Sequence, residues 1–409
     1  MLSERRPSQP ARGVPLAINP PVDAKNPSMI SLNPTPPLTP DDASHPPFSK
    51  LGTPSLVSPT IASSFEQQDY PYEFASDIEF QRNQYGERIE YGTGAWSVVY
   101  SARMRENDGS VLCSPPNTPQ IRPSGAPGRV VAVKAPARRD AHPILRAEAT
   151  LLTRLMMIPG SCDHVIPFHG LISQSDSLVM TAVPLSLPEY ITARAADAAA
   201  KFSTKTMFDP VVGTSAWLRL SKSLVTGIQW LHASAGVIHG DIKPQNILLR
   251  PKESTSESED DPFPYDPLYV DFTSAYHTLG NPAPVQAAAL SALSPPFTAP
   301  ELLSLSSLRS ADSTPQMSSD IFSLAVTLLT AATGDLLVYP GASDMQRLAM
   351  ARGGHQVLNY VRSGQNASRI RKNGMVDRML SPAVLKDPED RIVPEEWLRL
   401  IELEIAKLG

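Results

Sequence analysis

His239-Gly240-Asp241-Ile242-Lys243-Pro244-Gln245-Asn246-Ile247-Leu248-Leu249 stands between two segments of opposite periodicity. Upstream, Leu220, Leu224, Ile228 and Leu231 recur every three or four residues, which predicts a helix over 215–234. Downstream, Ile247-Leu248-Leu249 reads as an apolar strand. The loop between them carries three complementary groups. Asp241 can accept the proton of an attacking hydroxyl. Lys243 can neutralise negative charge building on a transferred group. Asn246 offers a neutral oxygen to a hard cation such as Mg2+. Each residue alone fits an ordinary surface loop, but Asp-x-Lys-Pro-x-Asn ahead of a strand is hard to obtain by accident.

Working outward, Val270-Asp271-Phe272-Thr273 places a carboxylate at the end of an apolar strand, where it could bridge a cation to phosphates. Upstream, Val131-Ala132-Val133-Lys134 is a short strand ending in a Lys that can act as a point charge on phosphate oxygens. Glu148 lies on an apolar-striped segment, 142–157, in which Leu145, Leu152 and Leu155 share its helical spacing; it is either a surface residue of an amphipathic helix or an ion-pair partner that would hold Lys134 toward phosphates. Earlier still, Tyr91-Gly92-Thr93-Gly94-Ala95-Trp96-Ser97-Val98-Val99 joins two strand patterns. Glycines there let backbone N–H groups approach phosphate oxygens. Past the centre come Phe297-Thr298-Ala299-Pro300-Glu301, then Asp320 at the start of an apolar helix (319–333) closed by Gly334, then Asp387-Pro388-Glu389-Asp390-Arg391.

Together and in order these elements resemble the signature set of eukaryotic protein kinases over about 81–401. The resemblance implies an α+β, two-lobed fold: a small antiparallel lobe with one helix at 81–183 and a larger helical lobe at 184–409. ATP and Mg2+ would bind between them, and the γ-phosphoryl group would pass to Ser or Thr hydroxyls of protein substrates. It implies that Gly92, Thr93, Gly94, Ala95, Trp96 and Ser97 form the nucleotide flap, with Val99 on the adenine. Lys134 and Glu148 become the phosphate clamp, Met180 the gatekeeper, and Thr181 to Val183 the hinge. Asp241 becomes the catalytic base with Lys243 beside it, and Asn246 and Asp271 the magnesium ligands. Glu301 with Arg391, and Asp320, take structural roles. Lys243-Pro244 is similar to the Ser/Thr-specific form, and Ser294 falls where that form carries a Thr beside the acceptor.

Three positions depart from the family pattern. Ser97 replaces the third flap glycine, as in many active relatives. Gly240 replaces the Arg that normally pairs with a phosphorylated activation loop, so no switch through hydroxyls between 273 and 293 is expected. Thr273 replaces the Gly after Asp-Phe, which is expected either to restrict the metal-site loop or to misplace it.

Composition bounds the rest. Of 409 residues, 36 are Lys or Arg and 41 Asp or Glu, a net charge of −5 that excludes a general nucleic-acid or membrane-surface binder. Two cysteines exclude a disulfide framework and suit a reducing compartment, cytoplasmic or nuclear. No signal peptide or transmembrane run is read. Fifteen of the 42 prolines fall in residues 1–80, which are expected to be a disordered tail. Its Pro20–Pro21 and Pro36–Pro40 pieces are weak candidates for an SH3-type partner. Low-complexity insertions are expected at about 105–128 and, acidic, at 251–267. Two other readings compete: an inactive pseudokinase scaffold, favoured by Gly240 and Thr273, and a small-molecule phosphotransferase of the aminoglycoside or choline kinase type. The latter lacks, as a set, the Lys-Pro, Ala-Pro-Glu and Asp-Pro-Glu-Asp-Arg elements.

Overall fold

Short β-branched runs between turn residues build a sheet first. Strands β1 (Ile78–Phe80), β2 (Glu90–Thr93), β3 (Ser97–Met104), β4 (Val130–Pro136), β5 (Phe168–Ile172) and β6 (Ser177–Thr181) form one antiparallel sheet. Its order is β1-β3-β4-β6-β5, and β2 also pairs with β3. The structure is a computed structural model. It describes residues 70–105, 128–253, 261–278, 293–304, 307, 314–339 and 341–408.

The register assigns the two faces of the sheet. Val99 lies opposite Lys134, Lys134 opposite Leu178, and Ala132 opposite Met180. Directly opposed residues share a face, so Val99, Ala132, Lys134, Leu178 and Met180 line one side. Val131 and Val133, out of phase with Lys134, pack with Ala102 and Val179 in a small separate core on the other side, closed by Phe74, Ile78 and Phe80. The alternation in Val131-Ala132-Val133-Lys134 thus sorts two apolar residues outward and sends the Lys to the inner face.

Helix α1 (His142–Met156) covers that inner face, burying Leu145, Glu148, Leu152 and Leu155 along one stripe. After a short helix, α2 (Ser161–His164), and the last two strands of the sheet, the chain turns helical: α3 (Leu187–Ala200), α4 (Thr214–Gln229), α5 (Met317–Thr333), α6 (Asp344–Arg352), α7 (Val357–Arg362), α8 (Met375–Leu380) and α9 (Pro394–Ile405). Helix α5 is mostly apolar and buried along nearly its whole length, and Gly334 in the left-handed region ends it. Between α4 and α5 lie β8 (Val237–Ile238), β9 (Ile247–Pro251), β10 (Tyr265–Tyr269) and β11 (Tyr276–His277). Strand β9 pairs with both β10 and a two-residue strand, β7 (Leu185–Ser186), while β8 pairs with β11. These short ladders hold the loops 239–246 and 270–275 side by side. Among the described residues no helix is long and apolar enough to cross a membrane.

The expected boundaries shift at two places. Residues 70–80, assigned to the tail from their composition, belong to the sheet: β1 pairs with β3, and Tyr72 and Phe74 bond across to Leu171 (Leu171 N to Tyr72 O 2.8 Å, Phe74 N to Leu171 O 2.9 Å). Aromatic residues in this stretch supply the apolar surface that the preceding Pro-rich segment lacks. The acidic insertion is also shorter than expected, because Tyr265–Pro267 already pair with β9. The rest of the expected tail (1–69), insertion residues 106–127 and acidic residues 254–260 lie outside the described residues.

Candidate active site

The inner face of β4 presents Lys134 to α1, and Lys134 is 4% exposed. Its ammonium donates to both carboxylate oxygens of Glu148, at 2.8 and 2.7 Å, and to Oδ1 of Asp271 at 2.7 Å. Glu148 also accepts the Phe272 N–H at 3.0 Å, so the helix carboxylate ties the strand to the loop that carries Asp271. Burial opposes the charge on Lys134, but Asp271 and Glu148 outweigh it and raise its pKa. Burial likewise works against ionised Asp271, yet the ammonium of Lys134 and the Thr273 hydroxyl hold its carboxyl well below the usual carboxylate range.

The second cluster is built on the 239–246 loop. Asp320, buried at the start of α5, accepts the backbone N–H groups of His239 at 2.8 Å and Gly240 at 2.9 Å, and His232 lies against the same carboxylate at 3.0 Å. The His239 ring takes one tautomer: Nδ1 accepts from the Asp241 N–H at 3.3 Å, so Nε2 donates to the Val270 carbonyl at 3.1 Å. It also packs on Phe272, ring centres 4.8 Å apart. Lys243 Nζ donates to Asp241 Oδ2 at 2.6 Å and to Ser294 Oγ at 2.8 Å. Asn246 Nδ2 donates to the Asp241 carbonyl at 2.7 Å and to its carboxylate at 3.1 Å. Burial pushes the Asp241 carboxyl up, and Lys243 offsets part of that.

The two clusters adjoin through the Asn246 carbonyl, which accepts the Val270 N–H at 3.0 Å, one residue before Asp271. Lys134, Glu148, Asp241, Lys243, Asn246 and Asp271 are therefore brought together. The remaining residues frame them. Gly92 and Thr93 end β2, Ser97 begins β3, and the Gly94 N–H closes the turn on the Ser97 carbonyl at 2.8 Å. A Cβ at Gly92 would meet nothing, so no protein contact explains a glycine there; the open space is what a close phosphate would need. Ala95 lies in the same turn. Trp96 turns back against Arg138, whose guanidinium sits 4.2 Å from the ring centre. Val99 and Met180 face the inner side as expected, and Thr181 and Val183 follow along the connection to the helical lobe. The Thr181 hydroxyl is engaged by His169 at 3.0 Å and Arg129 at 3.3 Å. Glu301 and Arg391 form a two-pronged pair at 2.8 and 2.7 Å, away from this centre.

Sequence reading gave no role to His239, His232 or the Thr273 hydroxyl. The first two sit in or near the quoted motifs, but their partners come from distant chain segments. Thr273 read as a defect, whereas its Oγ1 donates to Asp271 Oδ1 at 2.9 Å and its backbone lies in a right-handed 3-10 turn that needs no glycine. The turn therefore accommodates a β-branched residue at 273.

The donor set suits a hard cation held partly by phosphates. Both bonds to Asp271 fall on Oδ1, which leaves Oδ2 to a metal, and the Asn246 amide, with its nitrogen committed to Asp241, has Oδ1 to offer. Among the described residues there is no group of three or more His, Cys, Asp or Glu that could hold a metal ion.

The family model for the protein kinase domain matches residues 125–400, more than half of the chain, and the chain belongs to the protein kinase family. The match begins after the flap, so the assignment of Gly92 to Val99 stands on the register of β2, β3 and β4. A search of curated proteins finds no match.

Proposed function

We propose that the protein is an active kinase that transfers the γ-phosphoryl group of ATP to Ser or Thr hydroxyls of protein substrates. The observation that carries this reading is the buried ammonium of Lys134, gripped at once by Glu148 and Asp271. Burying a cation between two carboxylates is costly unless the site uses it.

Lys134 draws the nucleotide phosphates toward Asp271, and Asn246 and Asp271 are the residues that would hold Mg2+. When bound, Mg2+ neutralises charge between the phosphates. Asp241 orients the acceptor hydroxyl and takes its proton, and its raised pKa favours that transfer. Lys243 stabilises charge on the phosphoryl group in flight. Its bridge from Asp241 to Ser294 places a polar contact beside the base, which supports the Ser/Thr reading. The protein thus contributes positioning and electrostatics rather than a covalent intermediate.

The test is ATP-dependent labelling of Ser, Thr and Tyr peptide arrays by the full chain in Mg2+, with Asp241→Asn as control. Labelling of Ser or Thr peptides that the control abolishes is expected. Nucleotide-dependent stabilisation without any labelling would identify a scaffold, and labelling of Tyr alone would overturn the acceptor assignment.

A further inference from the structure

We propose that Thr273 is a positioning residue for phosphoryl transfer: its hydroxyl fixes the carboxylate of Asp271 so that Oδ2 faces the magnesium ion of the nucleotide. This rests on the reading of Asp271 as a magnesium ligand given above.

Thr273 is buried, and it occupies the middle of the turn Phe272–Ser274 that follows Asp271. Asp271 itself is in the left-handed region, φ 63° and ψ 72°, a conformation that side chains other than Asn and Asp seldom hold. Its carboxylate has a broad, nearly two-fold torsion, so a single ion pair to Lys134 does not fix which oxygen faces the cleft. Thr273 Oγ1 supplies a second donor to the same oxygen, 2.9 Å from Oδ1, against 2.7 Å for the Lys134 ammonium. Two donors on Oδ1 set the plane of the group and hold Oδ2 outward. The branched Cβ of Thr restricts χ1, so the donor is already aimed. Where the family carries a glycine, this chain closes the metal-site loop with a side chain. The expectation that no switch runs through hydroxyls between 273 and 293 leaves this fixed contact of Thr273 untouched.

Variants of the full chain separate this role from packing. Thr273→Val keeps the shape and loses the donor; Thr273→Ser keeps the donor. Thr273→Ala repeats the deletion without the added methyl, should the Val variant fail to fold. The primary readout needs no turnover: the Mg2+ concentration at which ATP half-maximally raises the melting temperature. Loss of the hydroxyl is expected to raise that concentration about tenfold, the usual worth of a hydrogen bond to a charged group. The ligand-free melting temperature should fall only modestly, because Lys134 still holds Oδ1, and Thr273→Ser should stay close to wild type. Wild-type Mg2+ demand in the Val or Ala variant, or a Ser variant as poor as they are, overturns the proposal. If the wild type binds ATP with Mg2+ yet transfers no phosphate, and the deletions still weaken binding, Thr273 keeps its role and the enzymatic reading falls. A wild type with no Mg2+-dependent response to ATP overturns both.

Discussion

The carbonyl oxygen of Ser274 lies where a side chain on Gly240 would have to begin: a Cβ built there falls 2.6 Å from it. Gly240 is in the left-handed region at φ 77°, and its N–H is bound by Asp320, so the backbone has little freedom to move aside. The residue that looks in the sequence like a lost arginine is thus one the local backbone requires. Gly240→Ala and Gly240→Arg should each cost about 1–3 kcal/mol, from positive φ plus the clash with backbone. Both should lower the urea midpoint and activity together. An Arg variant of wild-type stability that becomes phosphorylation-dependent would refute this.

Lys134 supports a second expectation, in which stability and activity part company. Lys134→Met leaves Glu148 and Asp271 without their cation, Glu148 being 2% exposed. Removing one member of a buried ion pair costs about 3–5 kcal/mol, so the variant should be markedly destabilised as well as inactive. Lys134→Met with Glu148→Gln removes the more deeply buried of the two stranded charges and should recover part of the stability but none of the turnover. Urea unfolding of wild type, both single variants and the double variant measures the coupling directly. Additive losses would show that the two side chains do not depend on each other.

The same two residues show what the sequence could reveal. The period of two in Val131-Ala132-Val133-Lys134 and the helical spacing of Leu145, Glu148, Leu152 and Leu155 fix which way each side chain faces, and those faces alone bring Lys134 and Glu148 together. Asp241, Lys243 and Asn246 were legible because they lie within one loop. Illegible were contacts set by long-range packing: Ser274 against Gly240, His232 against Asp320, and Thr273 turned onto Asp271. Backbone conformation decides all three, and composition carries no record of φ. The boundary of the tail failed for a related reason. Tyr72 and Phe74 resemble their Pro-rich surroundings until β5 gives them a partner.

That partner yields a third prediction. The Tyr72 N–H donates to Thr153 Oγ1 on α1 at 2.9 Å, and Glu73 accepts from the Ser173 backbone at 3.3 Å and from its hydroxyl. Residues 72–74 therefore stitch α1, which carries Glu148, to β5. Close approach depends on Gly170, at φ 138°, where a Cβ would lie 2.8 Å from the Phe74 nitrogen. Gly170→Ala should lift the segment and cost about 1–3 kcal/mol. Truncation to residue 69 should leave the melting temperature in place, whereas truncation to residue 76 should lower it. Equal melting temperatures for the two truncations would show that the stitch contributes nothing.

A last expectation concerns acid. Burial and the nearby Arg129 lower the His169 pKa from 6.5 to about 4, while its Nε2 meets the Thr181 hydroxyl at 3.0 Å. The folded protein keeps this imidazole neutral in a range where the unfolded chain protonates it. Between 6.5 and about 4 the unfolded state binds more protons, so stability falls as pH falls through that window. Above it, both states hold the ring neutral and His169 contributes no slope. His169→Gln keeps a polar group for Thr181 but has no titration, so its unfolding free energy should fall less steeply with acid over the same window. Denaturant titrations of both proteins across it give the two slopes. Parallel slopes would mean that acid sensitivity arises elsewhere and that His169 is already protonated or solvated in the folded protein.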